Sequence, residues 1–227
     1  MKKSLKIEFN SVKFDAIICL NGDMPELEVF YNLSDLPLIA ADGAANNLFK
    51  NNLNPNYIIG DIDSIESELL KLNFNNIQLF HLSDQDINDF EKCLMFAKIK
   101  GWENLLIFGF SGGLLEHTLN NWSVFKRFSK LMNLCIYDKD RYGFSISKSV
   151  EVSTKINEII SLIPEPSVKL TTKNLNWNLD KEILSLGIKE GARNISLGES
   201  IELTIFSGQL LIFCDARLPY IPNYIIS

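Results

Sequence analysis

Histidine is scarce in this chain of 227 residues, with only His81 and His117 present, so a histidine-rich metal centre is excluded. The four cysteines, Cys19, Cys93, Cys135 and Cys214, lie far apart inside apolar runs and make no C-x-x-C. That pattern excludes a zinc knuckle or a disulfide scaffold and predicts reduced core thiols in a cytoplasmic protein. Positive charge is short as well: 22 Lys and Arg stand against 28 Asp and Glu, a net charge of -6. A chain of that balance is not expected to bind nucleic acid by neutralising phosphates. No apolar run reaches membrane-spanning length, and the lysines after Met1 lead into Ile7-Glu8-Phe9-Asn10 rather than a signal-peptide core, so no membrane segment is expected. G-x-x-x-x-G-K-[ST] and G-x-G-x-x-G are both missing, and any nucleotide must be held in another way.

What is present is a large apolar fraction, 46% of residues, enough to bury a substantial core. Phe14–Leu20, Leu38–Ala41, Tyr57–Ile59, Ile77–Phe80 and Leu105–Phe108 read as short, fully buried strands. Helical stretches are expected over 26–31, 44–50, 65–72, 88–97 and from Gly113 to about Phe128. Strands alternating with helices predict a parallel α/β sheet of Rossmann-like type over residues 1–141. From 142 to 227 the texture changes to short β-prone stretches separated by Pro, Asn and Gly. There an all-β sandwich is expected, with a hairpin turning at Ser207-Gly208 between Ile201–Phe206 and Leu210–Phe213.

The polar signals fall where strands hand over to helices, the ligand edge of a parallel sheet. In Gly60-Asp61-Ile62-Asp63-Ser64, two carboxylates at spacing two face one side if the backbone stays extended. Held that close they repel unless a cation lies between them, and magnesium suits such oxygen ligands. Asp86-Ile87-Asn88-Asp89-Phe90-Glu91-Lys92 adds carboxylates ahead of a helix, with Asn88 and Glu91 spaced as a capping box. As a calcium loop it fails: counting from Asp84, Asp89 replaces the turn glycine and Met95 the bidentate glutamate. Gly109-Phe110-Ser111-Gly112-Gly113 has the form of a nucleophile elbow. Only Glu116 and His117 follow closely, however, and three residues so near in sequence do not make a serine triad. A loop that lets backbone N–H groups meet a phosphate at a helix amino end is the better reading.

Taken in order, these pieces resemble the thiamine pyrophosphokinase family. The resemblance rests on Leu20-Asn21-Gly22, Ala41-Asp42-Gly43-Ala44-Ala45-Asn46, Gly60-Asp61-Ile62-Asp63-Ser64, Asp86 to Lys92, and Gly112-Gly113 with His117-Thr118. Thr171 to Leu179 and Arg193-Asn194 continue it in the second part. It implies an α/β amino-terminal domain and a β-sandwich carboxy-terminal domain. It also implies a homodimer with a shared active site, and transfer of pyrophosphate from ATP to the thiamine hydroxyl, leaving AMP. Carried over residue by residue, Asp61, Asp63 and Asp89 would surround Mg2+ and the triphosphate, with Asp42 a further catalytic carboxylate. Asn21, Gly22, Gly43, Ser64, Lys92, Gly112, Gly113, His117 and Thr118 would contact the nucleotide. Trp177, Arg193 and Asn194 would contact thiamine, the indole suiting a cationic thiazolium.

The chain departs from the family pattern at Leu114-Leu115-Glu116, where arginine, phenylalanine and aspartate are usual, so a phosphate-holding cation is missing. Lys139, Arg141 or Arg193 is a candidate substitute. Asn88 stands for a usual threonine and Arg193 for a usual serine. Two alternatives therefore remain: a pyrophosphokinase for another hydroxymethyl heterocycle, such as a pterin, and a non-catalytic thiamine- or nucleotide-binding regulator.

Overall fold

The structure is a computed structural model that describes residues 5–66, 77–82, 84 and 86–226. The helix expected over 65–72 lies largely outside the described residues, as do Ser83 and Gln85. The chain divides into two units: one is formed by Phe14–Lys139, the other by the residues through Lys13 together with Asp140 onward. This corrects the expected division at 141/142, because β1 (Leu5–Glu8) pairs within the carboxy-terminal unit. Four residues carry too little hydrophobic signal to declare which distant edge they join.

The α/β unit contains β2 (Ala16–Cys19), α1 (Leu27–Asn32), β3 (Leu38–Ala41), α2 (Ala44–Lys50), β4 (Tyr57–Gly60) and β5 (Gln78–His81). These are followed by α3 (Asp89–Ile99), β6 (Asn104–Phe108), α4 (Leu115–Phe128) and β7 (Asn133–Asp138). The strands run in the order β7-β6-β2-β3-β4-β5, and every pairing among them is parallel. β2, β3 and most of β6 are buried throughout, which is why they read as continuous apolar runs rather than alternating ones. The side chain of Asp15 closes the far end of β6, accepting the N–H groups of Glu103 (3.0 Å) and Asn104 (2.9 Å).

α3 begins as expected. Asn88 caps it by accepting the Glu91 N–H at 2.8 Å, and Phe90, Leu94 and Ala97 are buried beneath it. The reciprocal half of the capping box is not made. The Glu91 carboxylate instead takes both guanidinium nitrogens of Arg127, at 2.6 and 3.3 Å, joining α3 to α4.

Among the described residues the other unit is all β. After β1 come β8 (Arg141–Ile146), β9 (Val150–Ser153), β10 (Ile159–Lys173), β11 (Glu182–Ser185), β12 (Gly191–Ile195), β13 (Ser200–Asp215) and β14 (Asn223–Ile226). β13 is central: β10 lies along one edge, with β9 and then β8 on the other. The hairpin expected at Ser207-Gly208 does not exist, because β13 runs straight through it. Leu170 pairs with Ile205 and Lys169 with Ser207, so Phe206 is an extra residue in a bulge. Gly208 (φ +91) lies where a Cβ would meet the Ser167 carbonyl at 2.1 Å. The glycine marks a close crossing of strands rather than a turn.

Candidate active site

The carboxyl ends of β2, β3, β4 and β6 open onto a cavity of about 320 Å³. Asn21, Gly22, Asp42, Gly43, Ser64, Asp89, Gly112 and His117, eight of the residues expected at a site, line it. Asp61, Asp63, Lys92, Gly113 and Thr118 are not among its lining residues. Lys92 is instead buried at 3% exposure and donates to Asp89 Oδ1 at 3.0 Å. Buried away from water and paired with this carboxylate, Lys92 acts on the cavity through Asp89.

The carboxylates converge. Asp42, Asp61 and Asp63 each bring an oxygen to within 4.8 Å of the other two. Asp89 lies across Gly60 from Asp42. A Cβ on Gly60 would stand 2.7 Å from Asp42 Cβ and 3.2 Å from Asp89 Oδ1, so only glycine leaves room for both. The convergence does not come from an extended strand, as the sequence suggested. β4 stops at Gly60, and Ile62 adopts a left-handed conformation (φ +65) that is unusual for a β-branched residue. A turn brings the two side chains together.

Asp42 is buried at 4% exposure, and its Oδ1 has no hydrogen-bond partner. Burial pushes its pKa up from the ordinary carboxylate value. The neighbouring Ser64 hydroxyl opposes this, and the nearby charges of Asp89, Asp61 and Asp63 add to it. A buried, unpartnered carboxylate oxygen facing two further carboxylates is the donor set of a hard divalent cation, and Mg2+ fits it.

Leu114, which precedes α4, and His117, Asn120 and Asn121 within it also line the cavity. Asn121 is engaged, donating to the Phe110 carbonyl at 3.1 Å. Asn120 and Asn121 escaped the sequence reading. Their spacing of three and four from His117 was the available signal, but no motif marks it. The turn after β6 meets the turn after β2 through Leu20 N–H to Phe108 O (2.9 Å) and Asp23 N–H to Ser111 O (2.7 Å). Ser111 does not line the cavity, and no serine triad assembles there among the described residues.

In the β unit, Trp177 is 60% exposed. The Asn194 side chain is buried and bonded to the backbone of the same tryptophan. Its Oδ1 accepts the Trp177 N–H at 3.1 Å, and its Nδ2 donates to the Trp177 carbonyl at 2.7 Å. Oδ1 also accepts the Ile195 N–H at 2.8 Å. Asn194 therefore braces the loop carrying Trp177. Arg193 is exposed, with φ +58 and its N–H on Ser161 Oγ. Arg141 is committed to Asp215 and to the Ile159 carbonyl.

Parallel strands with a glycine-spaced carboxylate cluster at their carboxyl ends define an α/β scaffold with its candidate site at the ligand edge of the sheet. Comparison with known proteins narrows the class. The family model described as "Thiamin pyrophosphokinase, catalytic domain" matches residues 32–136. Thiamine pyrophosphokinase 3 of Oryza sativa subsp. japonica is 31% identical over 205 residues, 77% of this chain and 76% of that protein. Thiamine pyrophosphokinase 1 of the same plant is 29% identical over 221 residues, 83% of each. The chain belongs to the thiamine pyrophosphokinase family. Its fold is also that of yeast thiamin pyrophosphokinase (TM-score 0.78, 19% identity, 92% of this chain and 89% of that one). The Bacillus subtilis thiamine pyrophosphokinase structure gives 0.73 at 20% identity, over 89% and 100%.

Proposed function

We propose that this protein is an ATP-dependent thiamine diphosphokinase. The thiamine hydroxyl oxygen bonds to the β-phosphorus of ATP, the bond from that phosphorus to the α,β-bridging oxygen breaks, and AMP leaves. The hydroxyl proton passes to a carboxylate at the cavity wall. The observation that carries the reading is the convergence of Asp42, Asp61 and Asp63, with Asp42 Oδ1 buried and unpartnered.

Reaction at phosphorus asks the protein chiefly for alignment and charge neutralisation. Asp42, Asp61 and Asp63 would hold Mg2+, which when bound would neutralise phosphate charge, while Asp89, also expected as a ligand, lies across Gly60 from Asp42 and is oriented by Lys92. Asn21, Gly22, Gly43 and Ser64 border the polyphosphate path on one wall, Gly112 and His117 on the other. Trp177 offers an open aromatic face to the thiazolium, and Asn194 braces the backbone that carries the indole. Arg193 borders the vitamin from the adjoining strand. We further propose a homodimer with an active site shared between subunits, acting in the cytoplasm, where buried reduced thiols are stable.

The test is an assay of the purified protein with ATP, Mg2+ and thiamine that quantifies AMP and weighs the product. AMP and thiamine diphosphate in equal amounts, both dependent on thiamine, are expected. Formation of ADP with thiamine monophosphate overturns the pyrophosphoryl assignment. Turnover only with another hydroxymethyl heterocycle overturns the assigned acceptor.

A further inference from the structure

The turn from Asp61 to Glu66 carries two of the three converging carboxylates but has no regular structure of its own. Two costs work against it. The carboxylates repel at this range, and Ile62 occupies left-handed backbone at φ +65. Something outside the turn must therefore hold it.

One side chain does so with both ends of its amide. Asn46 Nδ2 donates to the Ser64 carbonyl at 2.8 Å, and Asn46 Oδ1 accepts the Glu66 N–H at 2.9 Å. Within the turn, Ser64 Oγ passes the restraint on by donating to Asp63 Oδ1 at 2.9 Å. Lys50 also reaches Glu66, at 2.7 Å, but both side chains are about half exposed (54% and 52%), and such a pair contributes little. Asn46 stands four residues after Asp42, in the first turn of α2. The segment from Asp42 to Asn46 thus supplies one carboxylate of the cluster and the clamp that presents the other two.

We propose that Asn46 is the positioning residue that sets the affinity of the carboxylate cluster for a divalent cation. It touches neither cation nor substrate. It limits how far Asp61 and Asp63 can swing apart when no cation holds them together, so less ordering remains to be done on binding. The inference rests on the cation-assisted reading above and adds to it a residue outside the ligand set.

The experiment is a titration of the full-length protein with Mn2+ alone, free ion being read by electron paramagnetic resonance, without nucleotide or turnover. The wild type is expected to bind Mn2+ and Asp61→Asn to lose most of that binding. Asn46→Ala is expected to weaken Mn2+ about tenfold, as loss of an outer hydrogen-bond partner does at other metal sites. Its metal-free melting temperature should stay close to wild type, because the two bonds it loses lie at an exposed turn. Lys50→Ala should leave Mn2+ affinity within about twofold of wild type. Should Asn46→Ala fold poorly, Asn46→Gln keeps the amide but misplaces it by one methylene, and it should weaken Mn2+ as well. Hydrogen exchange at the Glu66 amide should accelerate in either variant. Wild-type Mn2+ affinity in folded Asn46 variants overturns the inference and leaves the cation reading standing. Failure of the wild type itself to bind Mn2+ removes the cation reading and the inference with it.

Discussion

Asp42 carries the main tension at the scale of single residues. Burial raises its carboxyl pKa, so the folded state holds that proton more tightly than the unfolded chain does. The metal-free protein then gains stability from this group below the ordinary carboxylate pKa and loses it as pH rises through the folded value. Asn cannot ionise and escapes the loss. Asp42→Asn is therefore expected to melt higher than wild type near pH 7 without divalent cation, by about 2–4 °C for each kcal/mol relieved. The gap should close as pH falls toward 4, and turnover should drop at least about a hundredfold. Scanning calorimetry across pH, beside the AMP assay, checks both halves, and an unchanged melting point at pH 7 would refute the assigned cost. Trp177 makes the opposite kind of prediction, because it is exposed and supports no core. Trp177→Ala should raise the KM for thiamine roughly 5–30-fold, the loss of about 1–2 kcal/mol of cation–π contact, with little change in the KM for ATP. Equal losses for both substrates would remove the stacking role.

Among elements, α3 shows how local chemistry serves the site. Its Asn88 cap is also a wall of the cavity, and the first turn it fixes carries Asp89. Asn88→Ala should cost about 1 kcal/mol of stability, a fall of roughly 2–4 °C in melting temperature for a chain of this size. It should also depress activity beyond that loss, because Asp89 loosens. A variant with normal turnover and only lower stability would separate the cap from the site. β13 supplies a test of the fold itself. Gly208→Ala places a Cβ against the Ser167 carbonyl and adds a left-handed backbone penalty of about 1–2 kcal/mol. Chemical denaturation should show a loss of at least that size, whereas a true hairpin turn with open space around it would tolerate alanine far better. The short strands were legible element by element, since buried parallel strands announce themselves as unbroken apolar runs. β10 and β13 were not, because proline and glycine inside a long bulged strand look locally like strand ends.

For the whole molecule, the proposed homodimer yields a complementation prediction. If each active site takes carboxylates from one subunit and Trp177 from its partner, mixing inactive Asp61→Asn chains with Trp177→Ala chains, impaired at low thiamine, should restore activity at thiamine below the wild-type KM once subunits exchange. Random pairing makes half the dimers mixed, each with one intact site, so about a quarter of wild-type activity is expected. No recovery after demonstrated exchange would mean that each site lies within one subunit. The same division between near and far residues separates what the sequence determined from what the tertiary structure decided. Alternating apolar runs and helices, the Asn88 cap and the placement of Asp42, Asp61 and Asp89 at strand ends follow from neighbours a few residues away. Periodicity and capping act over that range. The joining of residues before Lys13 to the β unit depended on contacts across the chain. So did the unpartnered oxygen of Asp42, the bonds of Lys92 to Asp89 and of Asn194 to the Trp177 backbone, and the double hold of Asn46 on the 61–66 turn. Burial and hydrogen-bond partnership are properties of the packed molecule, and a side chain's neighbours in space are not written in its neighbours along the chain.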